Sequence, residues 1–226
     1  MSVARTAREF LSPPNLLSLS RIPIAIWIVF LLPSRTPSSS LLAFLALCLA
    51  GLTDFFDGLL ARRATQRSGR TNHFGVILDP IADKILAVIL IGALLVYREF
   101  PLWLAGLVLM RDSVILVAGA LILRRRKIVL PSNLPGKYYF ASLAFLLASY
   151  VAGFNTGITL LQPLTVALWL LSSAYYARIL VRVLRGEDYQ SQAGTPGGQR
   201  LRVIATVVVC LTLAGLFVYE SPFQLW

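Results

Sequence analysis

Seven stretches of this sequence, roughly 15–33, 40–61, 76–97, 101–123, 137–155, 161–184 and 201–219, each run for some twenty residues with few charges. That is about the length an α-helix needs to cross the hydrocarbon core of a bilayer. In lipid every backbone N–H and C=O must be paired within the spanning structure, so runs of this length take the helical form. The expected fold is all-α, a polytopic transmembrane helical bundle with a six-helix core, a seventh span and an N-terminal interfacial helix. Composition points the same way. Of 226 residues, 57% are hydrophobic and 14% charged, whereas about a quarter of a typical soluble domain is charged. Soluble enzyme, secreted mini-protein and disordered tail are excluded on that balance.

The expected organisation is an interfacial segment at 1–11, a six-span core at 12–184, a polar linker at 185–200 and an extra span with its tail at 201–226. The first apolar run ends in Pro33-Ser-Arg-Thr-Pro without an A-x-A site, and more spans follow, so a cleaved signal peptide is a poor reading. Cys48 and Cys210 both sit in apolar runs, where they read as small buried hydrophobes rather than as a disulfide framework or a zinc site.

Net charge is +11, from 21 Lys and Arg against 10 Asp and Glu. With the N-terminus cytoplasmic, sixteen of the 21 basic residues fall at inner ends, Arg35 and Arg98 fall outside, and Arg21, Lys84 and Arg111 lie within spans. Cytoplasmic loops of membrane proteins collect basic residues in this way. The run Arg124-Arg-Arg-Lys127 is therefore a topology anchor and lipid-headgroup contact, and no nucleic-acid partner is expected.

Five of the ten acidic residues lie inside or at the mouth of apolar runs: Asp54, Asp57, Asp79, Asp83 and Asp112. An ionisable group there is costly and is by default functional. Asp54 and Asp57 are three apart, and Asp79 and Asp83 four apart, so each pair shares one face of its helix. The two runs are antiparallel neighbours joined by the basic stretch 62–75, which places both pairs near the cytoplasmic mouth. Four such carboxylates repel one another unless cations neutralise them. Hard divalent ions with all-oxygen ligands, Mg²⁺ or Mn²⁺ rather than zinc, suit that chemistry, and two ions close together serve phosphoryl transfer. The bland alternative is buried ion pairing with Arg21, Arg62 or Lys84. One isolated Asp fits either reading, but four at these spacings favour metal. Gly58, Ala61 and Gly75 leave room beside the carboxylates, and Pro80 is expected in the first turn of the third span, where its missing N–H is harmless.

Asp54-Phe-Phe-Asp57-Gly58-Leu-Leu-Ala61-Arg62, followed by Gly75-Val-Ile-Leu-Asp79-Pro-Ile-Ala-Asp83, closely resembles the D-x-x-D-G-x-x-A-R…G-x-x-x-D-x-x-x-D pattern of the CDP-alcohol phosphatidyltransferase family. The resemblance covers roughly 12–184 and leaves the seventh run unexplained. It implies a cytidine-diphosphate donor, usually CDP-diacylglycerol, and an alcohol acceptor whose hydroxyl displaces CMP. By position, Asp54, Asp57 and Asp79 would hold two Mg²⁺ or Mn²⁺ ions, with Asp83 completing the site and acting as general base. Gly58 and Arg62 would contact the donor. Asn15-Leu-Leu-Ser18-Leu-Ser-Arg21 resembles the family's N-x-x-[TS]-x-x-R segment over the nucleotide, although Asn15 and Ser18 can equally cap the first span. Twelve residues separate Arg62 from Gly75, more than the family usually has, which leaves open whether Ser68 or Thr71 meets a nucleotide phosphate. His73, the only histidine, reads as a bland loop residue.

For the acceptor, Arg111-Asp112 and Gly136-Lys137 resemble the branch that makes phosphatidylglycerol phosphate, which implies Arg111 and Lys137 on the phosphate of glycerol 3-phosphate. The fuller G-K-x-K-T pattern is absent, since Tyr-Tyr-Phe follows Lys137. An interfacial anchor at Lys137 and a buried ion pair at Arg111-Asp112 stay open, as do phosphatidylglycerol (the cardiolipin synthase reaction) and inositol phosphate as acceptors. The remaining classes are a carboxylate-lined divalent-cation transporter, which would place its acids near the midplane of two related halves, and a membrane scaffold. Membrane lipids are expected partners, a homodimer is compatible with the family, and the expected location is a bacterial inner or plasma membrane with the site on the cytoplasmic side.

The charge bias makes topology testable. In Arg67→Cys, Arg125→Cys and Gln192→Cys variants of intact cells, an impermeant thiol reagent should label none from outside, whereas Trp226→Cys should react. External labelling at 67 or 125 would defeat this orientation, and an unreactive 226 would remove the seventh span alone.

Overall fold

The computed structural model describes residues 13–68, 73–126 and 134–185, with backbone alone at 13–15, 17–18, 54–68, 73–83, 119–126, 134 and 183–184. The expected interfacial segment 1–11, the linker beyond Arg185 and the seventh run lie outside the described residues. What is described is all-α, without a strand. Six helices follow one another: α1 (Pro13–Leu31), α2 (Pro37–Ser68), α3 (His73–Tyr97), α4 (Leu102–Arg126), α5 (Leu134–Ala152) and α6 (Asn155–Leu184), with a short 3-10 turn at Leu32–Ser34 after α1. Each overlies one of the first six apolar runs. The helices run past the hydrophobic boundaries because apolar content marks burial or lipid, whereas a helix continues for as long as backbone and caps allow.

Contacts divide the chain into two compact units, one up to Phe100 and one from Pro101. In the first, α1 packs against both α2 and α3. Its core joins Ala25, Ile28 and Leu32 to Ala43, Ala46 and Ala50 of α2 and to Leu90, Ile91 and Leu94 of α3, all buried. Alanines at 43, 46 and 50 line one helical face and let the α1 and α2 backbones approach closely.

The α2 start is built by local hydrogen bonding. Thr36 Oγ1 accepts from the Ser39 N–H at 3.2 Å while Ser39 Oγ accepts from the Thr36 N–H at 3.1 Å. This is a capping box with serine in the place of glutamate, and Pro37 fills the first helical position. Arg35, in the left-handed region at φ 49, donates from Nη2 to the Tyr97 carbonyl at 2.8 Å, and so satisfies the end of α3. Arg98 donates to Ser40 Oγ at 2.7 Å. Burial, and then the nearby Arg35 charge, pull the Arg98 guanidinium below its ordinary value. These two bonds tie the first turn of α2 to the last turn of α3, and a four-residue connection, 69–72, joins the opposite ends. The two helices are therefore antiparallel.

In the second unit α5 packs on α6, and α4 meets α6. The α5–α6 corner turns on Gly153 at φ 75, followed by the Phe154 N–H donating to the Ser149 carbonyl at 2.8 Å. That is the left-handed helix stop that glycine accommodates. Mid-helix, the buried Ser142 and Thr165 hydroxyls bond to each other at 2.7 Å. Trp169 Nε1 donates to the Leu107 carbonyl at 3.0 Å and fastens α6 to α4.

Several placements differ from expectation. Cys48, read as a small buried hydrophobe, is exposed on α2. Pro80 is not in the first turn of its helix, because α3 already begins at His73; the Val76 carbonyl opposite it loses an intrahelical donor. The sixth helix starts at Asn155 rather than near 161 and carries Pro163 within it. Among the described residues, one helix is long and apolar enough by itself to cross a membrane, the 28 residues Asn155–Arg182, while Leu19–Ser34, Pro37–Thr53 and Lys84–Tyr97 are shorter apolar stretches.

A Cβ built on Gly157 would collide with the Phe154 ring, and one built on Gly106 meets nothing within 4 Å. Gly157→Ala should therefore destabilise by roughly 1–3 kcal/mol through overpacking. Gly106→Ala should be neutral or gain up to about 1 kcal/mol from helix propensity. Thermal unfolding of the purified protein in detergent checks both, and equal midpoints for the two variants would refute the close approach at the corner.

Candidate active site

The four aspartates are placed by two continuous helices of the first unit. Asp54 and Asp57 lie on α2, and Asp79 and Asp83 on α3. A rise of about 1.5 Å per residue sets Asp57 some 16 Å before the end of α2 and Asp83 some 15 Å after the start of α3. Because the helices are antiparallel and joined by four residues, Asp57 and Asp83 lie at one level, with Asp54 about 5 Å deeper and Asp79 about 6 Å nearer the connection. The backbone thus gathers four acidic positions into a band roughly 12 Å tall. Their carboxylates lie outside the described residues.

Gly58 and Arg62 continue along α2 from Asp57, and Ser68 is its last residue. Thr71 lies outside the described residues. His73 opens α3 instead of sitting in the loop. On α1, the helix begins at Pro13, which puts Asn15 and Ser18 inside it. Ser18 is then too far in to cap that helix end, since a capping residue must precede the first turn. Arg21, one turn beyond Ser18, is completely buried and has a partner.

The second unit holds the other candidates. Arg111, on α4, donates from Nη1 to Asp112 Oδ1 at 2.8 Å and from Nη2 to Ser172 Oγ on α6 at 2.7 Å. Its guanidinium carbon lies 4.2 Å from the centroid of the Tyr139 ring on α5 and 5.6 Å from that of Tyr176 on α6. The side chain is 11% exposed. One charge is thus held by a carboxylate, a hydroxyl and two aromatic faces drawn from three helices. Hydrogen bonds to a charged group are worth about 1.5–3 kcal/mol, and a desolvated cation over a ring about 2.

Lys137 is exposed in the first turn of α5. Positions two apart on a helix do not share a face, so Tyr139, turned to Arg111, and Lys137 occupy different sides. No hydrogen bond joins Lys137 to Arg111 among the described residues.

Tyr139, Ser172 and Tyr176 were not singled out by sequence. A usable signal was present, since an arginine deep in an apolar run needs π faces or hydroxyls, and Tyr138-Tyr139 follows Lys137 directly.

A family model described as CDP-alcohol phosphatidyltransferase matches residues 11–180. A Drosophila melanogaster protein named "Probable cardiolipin synthase (CMP-forming)" is 36% identical over 162 residues, 69% of this chain and 47% of that protein. A Streptomyces coelicolor "Cardiolipin synthase (CMP-forming)" is 39% identical over 120 residues, covering 51% of this chain and 53% of its own length. A Mycobacterium tuberculosis "Probable phosphatidylglycerophosphate synthase" is 30% identical over 182 residues, 79% of this chain and 78% of that one. The chain thus spans about half the length of the first two relatives and most of the third.

Tyr139 is 1% exposed and its hydroxyl has no hydrogen-bond partner among the described residues, so the ring and the hydroxyl separate cleanly. Tyr139→Phe keeps the face under Arg111 and should be neutral or stabilising. Tyr139→Leu should lose about 1–2 kcal/mol. Detergent melting curves check this, and a Phe variant as damaged as the Leu variant would mean that the hydroxyl, not the ring, carries the contact.

Proposed function

The chain belongs to the CDP-alcohol phosphatidyltransferase family, and from that membership we propose that it is an integral membrane enzyme of phospholipid synthesis. It transfers a phosphatidyl group from CDP-diacylglycerol to an alcohol acceptor and releases CMP. The acceptor read from the sequence is glycerol 3-phosphate, giving phosphatidylglycerol phosphate. The relatives' names support both that acceptor and the cardiolipin-forming one.

The observation that carries the reading is the band of four acidic positions on two antiparallel helices. An all-carboxylate donor set suits a hard divalent cation. Asp54, Asp57, Asp79 and Asp83 would hold two such ions, Mg²⁺ or Mn²⁺, which when bound neutralise pyrophosphate charge and polarise phosphorus. Gly58 keeps the α2 backbone open beside Asp57, and Arg62, one turn on, receives donor phosphate oxygens. Asn15 and Ser18 lie on α1, which packs on both carboxylate-bearing helices, and they contact the nucleotide together with Ser68 or Thr71.

In the reaction the acceptor oxygen forms its bond to the β-phosphorus as the bond to the CMP oxygen breaks. Asp83 takes the acceptor's hydroxyl proton on a carboxylate oxygen. Arg111 and Lys137 orient the acceptor's anionic group.

Membrane embedding is supported by the apolar side chains the helices expose, including Phe30 at 76%, Leu102 at 75% and Val96 at 71%. On a water-facing protein so large an apolar surface would drive association; in a bilayer it is solvated. Multiple spans, with the connection 69–72 cytoplasmic, follow from the positive-inside count.

The test uses purified protein, labelled CDP-diacylglycerol, Mg²⁺ or Mn²⁺, and a panel of glycerol 3-phosphate, phosphatidylglycerol and inositol phosphate. Asp83→Asn keeps shape and one ligating oxygen but is a negligible base. Turnover should fall ~10²–10⁴-fold while calorimetry with Mn²⁺ still detects donor binding. Asp57→Ala should lose metal-dependent donor binding as well. Near-normal turnover in Asp83→Asn would remove it as base. Four Asp→Asn variants with intact binding and turnover would sink the transferase reading.

A further inference from the structure

The two helices that carry the acidic positions share a neighbour rather than a seam. α1 lies against both α2 and α3, and the 3-10 turn at Leu32–Ser34 touches both, whereas α2 and α3 meet each other far less among the described residues. Helices related in this way can admit ions between them, but their spacing then depends on what ties their ends. At one end that is the four-residue connection, 69–72. At the other, Arg98 Nη2 donates to Ser40 Oγ at 2.7 Å and Arg35 Nη2 donates to the Tyr97 carbonyl at 2.8 Å. Ser40 is 5% exposed and the Arg98 Nε atom is buried, so water competes little for the first of these bonds. A hydrogen bond from a charged donor is also among the strong ones.

The lengths involved make this tie matter at a distance. Asp57 and Asp83 lie about 16 Å from the connection, and the Arg98–Ser40 bond about 40 Å from it. Helices pivoting at the connection would move the acids about two-fifths as far as the tied ends. An opening of about 2.5 Å at the tie would spread the acidic band by about 1 Å, whereas metal–ligand distances hold to within about 0.2 Å. Repulsion among four carboxylates pushes towards such an opening whenever no cation is bound.

We propose that Arg98, through Ser40 and with Arg35 in support, is a positioning residue for the acidic band. It holds α2 and α3 at the spacing that divalent ions require, before the ions arrive. This role rests on the metal site of the proposed function.

The experiment follows Mn²⁺ binding to the full chain in detergent by loss of the free-ion electron paramagnetic resonance signal, beside thermal melting and phosphatidyl transfer. Losing the tie lowers the fraction of molecules with a correctly spaced band, and apparent affinity falls by that fraction. Arg98→Ala and Ser40→Ala should each raise Mn²⁺ half-saturation about tenfold, with turnover at saturating Mn²⁺ within about twofold of wild type. The double variant should be no worse than either single one, because all three lack the same bond. Ser40→Thr keeps the hydroxyl and should bind as wild type does. Arg35→Asn, chosen because Asn tolerates the left-handed backbone there, should show a smaller shift than Arg98→Ala. Gly157→Ala, a destabilising change in the other unit, should lower the melting midpoint and leave half-saturation unmoved. Should Arg98→Ala fail to fold, Ser40→Ala and Ser40→Thr decide. Unchanged half-saturation in the folded variants overturns the positioning role and leaves the metal site standing. A shift in Gly157→Ala as large as in Ser40→Ala reduces the tie to general stability and overturns the role as well. A wild type that binds no Mn²⁺ removes the metal site first, and this role with it.

Discussion

A full charge inside an apolar helical bundle has to be met where it stands, because there is little solvent to screen it and desolvation disfavours the ion strongly. Arg111 shows how this chain meets that constraint. Its neighbour Asp112 supplies the counter-charge, Ser172 accepts a second bond, and Tyr139 lies beneath the guanidinium plane. The requirement recruits one side chain from each of three helices, so the charge also fixes how α4, α5 and α6 pack. The hydroxyl pair Ser142–Thr165 and the Trp169–Leu107 bond add uncharged links between the same helices.

The other end of the charge inventory is handled differently. Arg35 and Arg98 close the ends of α2 and α3 remote from the 69–72 connection through a backbone carbonyl and a hydroxyl, with no carboxylate among the partners described. A cation near a helix C-terminus is favoured by the helix dipole as well as by the bond itself. This latch matters for the candidate site. Tied at the far end and joined by four residues at the near end, α2 and α3 have little freedom to slip past each other, so the levels of Asp57 and Asp83 are matched by backbone geometry. Under the proposed function, the ions would take the part for four carboxylates that Asp112 takes for Arg111.

Six helices were legible in the sequence because each overlies a long run with few charges, and the acidic pairs were legible because an aspartate stands out against such a run. Helix ends were less so. His73 and Asn155 are polar, so hydropathy alone starts their helices late, although a polar residue in a first turn is no obstacle to helix. The late start also put Pro80 in the wrong turn and left Ser18 open to a capping role that the longer α1 does not allow. The partners of Arg111 were hidden for another reason. Ser172 lies 61 positions away and Tyr139 28 positions away, and no local spacing rule relates residues on different helices. Chemistry could have named the kinds of partner an arginine in an apolar run needs, but only the fold selects which tyrosine and which serine.

That selection bears on how Arg111 can take part in recognition while remaining a structural cation. Its guanidinium has five N–H groups, and the bonds to Asp112 and Ser172 use the Nη side. The Nε edge is buried and unpaired among the described residues. An acceptor phosphate demanding both Nη atoms would have to compete with a carboxylate already in place. Exposed Lys137 has no such commitment among the described residues. Within the proposed function, exposed Lys137 meets the doubly charged, water-borne phosphate directly, and Arg111 adds its charge while staying bound to Asp112 and Ser172.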